Sequence, residues 1–170
     1  MNKMKDIRIE KIVLNIGCGV KYQIENARKI LENISGKKAV ITKTVKRSTF
    51  GVPKGKNIGC KVTIRKNKKE FLKRLFEAKE ELNESNFDDT GNLSFGIKEY
   101  IDVPGMEYDP GIPITGFDVS VTLERPGYSI ARRKISSKIG KGHRIKKEEA
   151  ISFIKEFGIK VREHGQKESS

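Results

Sequence analysis

Tryptophan is absent, and only two cysteines, Cys18 and Cys60, occur in 170 residues. Two cysteines in strand-like contexts cannot make a disulfide framework, so both are expected as buried thiols in a reducing compartment. No apolar run approaches the roughly 18 residues of a membrane span. The N-terminal MNKMKDIRIEK also lacks the apolar core of a secretion signal. The expectation is a cytoplasmic protein with no membrane partner. Histidine is limited to His143 and His164, with no Cys/His quartet at zinc spacing. Both read as surface residues, and no metal, cofactor or catalytic set is expected. Aromatic residues make up 7% of the chain, which leaves little for base stacking. Asp and Glu are missing altogether from Asn33 through Lys69, where twelve Lys or Arg occur.

What is there is positive charge. With 36 Lys and Arg against 22 Asp and Glu, the net charge is +14, which asks for nucleic acid or an acidic membrane surface as partner. A chain of this length is one domain with a real core. Residues 1–162 are taken as a single RNA-binding domain, with 163–170 as a disordered tail.

The most informative stretch is Lys43 to Arg65, KTVKRSTFGVPKGKNIGCKVTIR. Ile58, Cys60, Val62 and Ile64 point one way and Gly59, Lys61, Thr63 and Arg65 the other, the period of a strand with one face buried. Ala39 to Val45 reads as its hairpin partner, across a loop from Lys46 to Asn57 broken by Gly51, Pro53 and Gly55. An opening strand, Lys11 to Gly17, places Ile12, Leu14 and Ile16 on one face and Val13 and Asn15 on the other. Asn15 is either an ordinary solvent-facing residue or a member of a ligand-reading face with Lys61, Thr63 and Arg65. The following GCGV has Tyr22 where a third glycine belongs and no Walker lysine, so it is a tight turn and not a nucleotide fingerprint.

Helical spacing marks residues 22–35 and a second helix from Lys68. Asn67 is the expected cap of that helix and Phe71, Leu72, Leu75, Phe76 and Leu82 its apolar face. Glu77 to Glu124 reverses the charge, with twelve acids against two lysines. Asp88, Asp89, Asp102 and Asp109 there would suit magnesium, but nothing else catalytic accompanies them, and solvation or a protein contact explains them better. A strand follows, with Phe117, Val119, Val121 and Leu123 alternating against Asp118, Ser120 and Thr122. Arg125 to Lys147 holds nine basic residues and no acid. Arg132, Arg133 and Lys134 fit a short helix. With Lys138, Lys141 and Arg144 they form a second basic surface, either flexible or phosphate-binding, that no acid balances. Glu148 and Glu149 then suit the positive start of a last helix ending near Gly158.

The expected fold is α+β: a mostly antiparallel sheet with helices on one face, covering Ile12, Leu14, Ile16, Ile41, Ile58, Val62, Ile64, Val119 and Val121. The other face stays open, polar and basic, beside a long basic hairpin loop. With no aromatic on that face, Asn and Thr hydrogen bonds and Lys and Arg contacts to phosphate remain. These suit a folded RNA met through its backbone and groove shape.

IEKIVLNIGCGV, ITKTVKRSTFGVPKGKNIGCKVTIR, FLKRL and FDDTGNLSFGIKEY, in this order, resemble the L-five family of large-subunit ribosomal proteins, from about Ile9 to Val161. The resemblance implies a structural, non-enzymatic constituent of the large subunit that binds 5S rRNA in the central protuberance. It places Asn15, Thr42, Thr44, Lys61, Thr63 and Arg65 against 5S rRNA. The loop, with Lys46, Arg47, Phe50, Lys54, Lys56 and Asn57, is implied to face P-site tRNA. Val103 to Ile114 is implied to lie near a bridge to a small-subunit head protein. Large-subunit rRNA and other ribosomal proteins are further implied partners, and the free protein is expected to be a monomer. The insert resembles the archaeal and eukaryotic branch. Two rival classes remain. An RNA-processing enzyme would show magnesium-dependent turnover, and a non-specific packaging protein would not distinguish 5S rRNA from duplex DNA.

Overall fold

The computed structural model describes residues 2–18, 23–47, 51–135 and 137–162. In chain order the main elements are β1 (Arg8–Gly17), α1 (Ile24–Ser35), β2 (Val40–Lys43), β3 (Asn57–Ile64) and α2 (Lys68–Glu77). There follow β4 (Glu81–Asn83), β5 (Leu93–Ile97), β6 (Phe117–Glu124), α3 (Lys147–Lys155) and β7 (Lys160–Arg162). Five strands form one antiparallel sheet in the order β2-β3-β1-β6-β5.

The alternation of apolar residues decides which face is covered. Ile12, Leu14, Ile16, Cys60, Val62, Ile64, Phe95, Val119 and Val121 are all buried on one side. Onto this side pack Ala27, Ile30, Leu31 and Ile34 of α1 and Leu72, Leu75 and Phe76 of α2. Each Ile, Leu, Val or Phe among them contributes roughly 1.5–3 kcal/mol by leaving water. Gly36 stops α1 in the left-handed region (φ 61°), where its amide bonds back to Glu32 O. Burial raises the pKa of both Cys18 and Cys60. Their thiols therefore stay neutral.

Several local expectations are corrected. Ile41 and Ile58, near the hairpin end of the sheet, are only half-buried. Asn67 does not cap α2 through its side chain; its backbone is left-handed (φ 50°), a region asparagine tolerates better than most residues. Leu82 lies beyond α2, on β4. Leu93–Ile97, inside the acid-rich stretch, is an edge strand of the sheet. β4 and β7 pair in parallel, drawing Val161 and Arg162 into structure. Gly19 and Val20 of the expected GCGV turn, Phe50 of the loop and the tail from residue 163 lie outside the described residues.

Candidate RNA interface

Strand register determines which side chains share the open face. Asn15 sits opposite Lys61 of β3 on one side and Asp118 of β6 on the other. Val13 lies between Thr63 and Ser120, and Lys11 opposite Thr122. Thr42 faces Gly59 from β2. Paired residues in a ladder project to the same side, so Thr42, Lys61, Thr63 and Asn15 share one uncovered surface. Gly59 permits the close spacing: a Cβ there would stand 2.4 Å from Ile16 O and 3.3 Å from Thr42 Oγ1. Arg65 follows directly on β3 and is exposed.

Thr44 departs from this group. It lies past an irregularity in the β2–β3 register, and its hydroxyl is within donating distance of Pro53 O (2.8 Å) and Lys56 O (3.0 Å). It shapes the base of the loop instead. Lys46, Arg47, Lys54 and Lys56 are exposed, and Asn57 is half-buried opposite Lys43. Among the described residues, none of Lys46, Arg47, Lys54, Lys56, Lys61 and Arg65 has a carboxylate within ion-pair distance.

The face has a second half that strand-by-strand reading did not assemble. Asn15, Asn86, Ser94, Gly96, Asp118 and Ser120 surround a shallow hollow of about 520 Å³. Gly96 opposite Asp118 leaves the space open, and the Ser94 and Ser120 hydroxyls lie 3.4 Å apart. The alternation of Asp118 and Ser120 was visible, but the neighbour of β6 was not. So the surface is basic on the β3 side and polar with one acid on the β6 side.

The insert is organised differently. Arg125 is buried (5% exposed) and donates to Glu149 Oε1 at 2.8 Å and to the carbonyls of His143 and Arg144, both at 3.4 Å. Glu149 also accepts from the Lys146 amide at 3.0 Å. That backbone bond, and secondly Arg125, hold its carboxyl below the ordinary range. Arg132 closes a 3-10 turn over Tyr128–Arg132 and pairs with Glu10 and, at 2.6 Å, with Glu124. Glu124 in turn accepts from Arg8 at 3.0 Å. A bulge between Ile9 and Lys11 interrupts the β1–β6 register at Glu10. Acids do therefore balance part of the insert, contrary to expectation, because Glu10 and Glu149 approach from outside it. Arg132 belongs to this framework, whereas Arg133, Lys134, Lys138, Lys141 and Arg144 are exposed, with no ion-pair partner among the described residues. His143, expected at the surface, is half-buried, with Nε2 2.8 Å from Pro126 O.

The fold and this surface define a class: a basic α+β protein whose sheet leaves one polar face uncovered. Comparison with known proteins makes it particular. The family described as "Ribosomal protein L5" matches residues 2–52, and the C-terminal region of the same ribosomal family matches 57–161. The chain is 50% identical over 165 residues to "Large ribosomal subunit protein uL5" of Nitrosopumilus maritimus, covering 93% of this chain and 95% of the relative. It is 46% identical over 164 residues to the protein of that name from Cenarchaeum symbiosum (93% and 97% covered), and 44% over 167 residues to that of Methanococcoides burtonii (94% and 98%). The chain belongs to the L5 family of large-subunit ribosomal proteins. It is accordingly an RNA-binding structural constituent of the large subunit, in a family that is not enzymatic. The two family segments meet within the β2–β3 hairpin, yet β1 of the first is hydrogen-bonded to β3 and β6 of the second.

Proposed function

We propose that this protein binds 5S rRNA on the open sheet face and anchors it in the central protuberance of a cytoplasmic ribosome, acting as one RNA-binding unit over residues 1–162 and monomeric when free. Asn15, Thr42 and Thr63 supply hydrogen bonds to sugar and backbone, and Lys61 and Arg65 neutralise phosphates. The loop cations Lys46, Arg47, Lys54 and Lys56 point the hairpin at P-site tRNA, and the segment from Val103 to Ile114 lies toward a small-subunit head protein.

The observation that carries this reading is the meeting of Asn15 and Lys61 from separate segments on one uncovered surface, beside a stretch without a single carboxylate from Asn33 to Lys69. A face with no exposed aromatic among the described residues holds RNA by charge and shape, so affinity must fall steeply with salt. The test is a mobility-shift titration of 5S rRNA. Lys61→Ala with Arg65→Ala is expected to weaken binding about tenfold or more and to flatten the log–log salt slope by about 1.4–1.8, two phosphates' worth. Lys54→Ala with Lys56→Ala should leave isolated 5S rRNA binding unchanged while impairing tRNA-dependent function. Unchanged binding by the first pair would remove the sheet-face assignment.

A further inference from the structure

We propose that the basic insert is a nucleotide trap: a groove beneath it takes one unpaired base of large-subunit rRNA, with the flanking phosphates on Lys138 and Arg144. The proposal rests on the chain's place in the large subunit and not on how the sheet face is used.

The groove has a volume of about 490 Å³, lined by Tyr128, Ala131, Ser137, Lys138, Ile139 and Arg144 among others. That lies in the range of about 300–1,000 Å³ typical of sites for small organic molecules. Its walls are the Tyr128 ring, Ala131 and Ile139 together with the hydroxyl-bearing Thr90 and Ser137; its rim carries two exposed cations with no ion-pair partner among the described residues. A largely apolar slot with an aromatic residue in its wall, edged by unpaired positive charge, matches a nucleobase joined to phosphates. It suits a peptide less, because a peptide would have to be both apolar and strongly acidic.

The walls are set before anything enters. The Tyr128 hydroxyl donates to His143 O and accepts from the Ile145 amide, each at 3.1 Å, and its ring meets His143 edge-on at 5.7 Å between centroids. Arg125 fixes the carbonyl of Arg144 from below while the Arg144 side chain stays exposed. Arg132 ties the turn that carries Ala131 to the sheet. Ile145, buried at the insert's end, packs on Gly91, where a Cβ would come within 2.6 Å of it. A slot held this way binds with little ordering cost. The buried arginine and the pinned tyrosine thus serve to present the free cations, which explains why one short segment holds both kinds.

The test uses the full chain and a large-subunit rRNA transcript lacking 5S rRNA, with binding followed across a salt series. Ala131→Phe fills the groove without changing charge. It should weaken binding at least about fivefold, the scale of one lost stacked base, and leave the salt slope unchanged. Lys138→Gln with Arg144→Gln should also weaken binding, but with a slope smaller by about 1.4–1.8. Both variants should keep their melting temperature and their 5S rRNA affinity, which separates this site from the sheet face. If Ala131→Phe destabilises the fold, Ile139→Ser, which strips a wall without adding bulk, must show the same loss. Wild-type affinity in Ala131→Phe or in a folded Ile139→Ser overturns the trap. So do photo-crosslinks from a probe at position 131 in assembled subunits that reach protein and not rRNA.

Discussion

Two segments of this chain look alike as sequence: the hairpin from Lys43 to Arg65 and the insert from Arg125 to Lys147 are both basic and free of acid. Their structures differ in kind. The hairpin is held by ladder hydrogen bonds and by Thr44 bonding back to its own loop, so its cations are left over for a partner. Among its described residues the insert has no strand to hold it. It spends Arg125 and Arg132 on Glu149, Glu10 and Glu124 and Lys147 on Glu84, and among the described residues its other cations have no acid partner. An acid-free run is therefore not the same thing as a run of available charge. Where the backbone is already satisfied, cations face outward; where it is not, some of them become the scaffold.

The sharpest way to break this contrast is Arg125→Ala. Loss of a buried guanidinium that serves two carbonyls and a carboxylate should cost about 3 kcal/mol. In a chain of this size that lowers the melting temperature by about 6–12 °C. Lys61→Ala in the hairpin should shift it hardly at all. Equal melting temperatures for the two variants would erase the distinction. Arg132→Ala comes next. Its side chain is half-exposed (51%), so the loss is about 1 kcal/mol or less, read by calorimetry, with faster hydrogen exchange confined to the insert.

The smallest effect is on pH dependence. The carboxyl of Glu149 is depressed when folded, so its contribution is full above the unfolded value near 4.5 and fades as pH falls through the lower folded value. Glu32, which accepts from the Ala39 amide at the root of the hairpin, is depressed in the same direction. Glu149→Gln should therefore flatten part of the acid-side loss in melting temperature, with Glu32 and Asp88, both also depressed, contributing to what is left. An unaltered profile in that variant would show that the insert is not locked through this carboxylate.

Much of this was legible beforehand. Strict alternation from Ile58 to Ile64 and from Ile12 to Ile16 placed Lys61, Thr63 and Asn15 on a common parity, and the ladder pairs them as that parity requires. Parity says nothing of neighbours, however. That β6 lies beside β1, bringing Asp118 next to Asn15, depends on packing between segments about a hundred residues apart. The partners of Arg132 were hidden for the same reason, and the bulge at Glu10 has no sequence signature of its own. β4 and β7 are three residues each, too short for any period to register. Thr44 kept the right alternation, but the break after Thr42 took it out of phase.

The position of β1 at the centre of the sheet has a consequence for biosynthesis. It leaves the ribosome ahead of both its neighbours, and the second of them ends only at Glu124. At roughly 5–20 residues per second, an emerging polypeptide carries this strand with one bare edge for several seconds. Deleting the first seventeen residues would not trim a border. It would take out the middle of the sheet and leave β3 and β6 with nothing to bridge them.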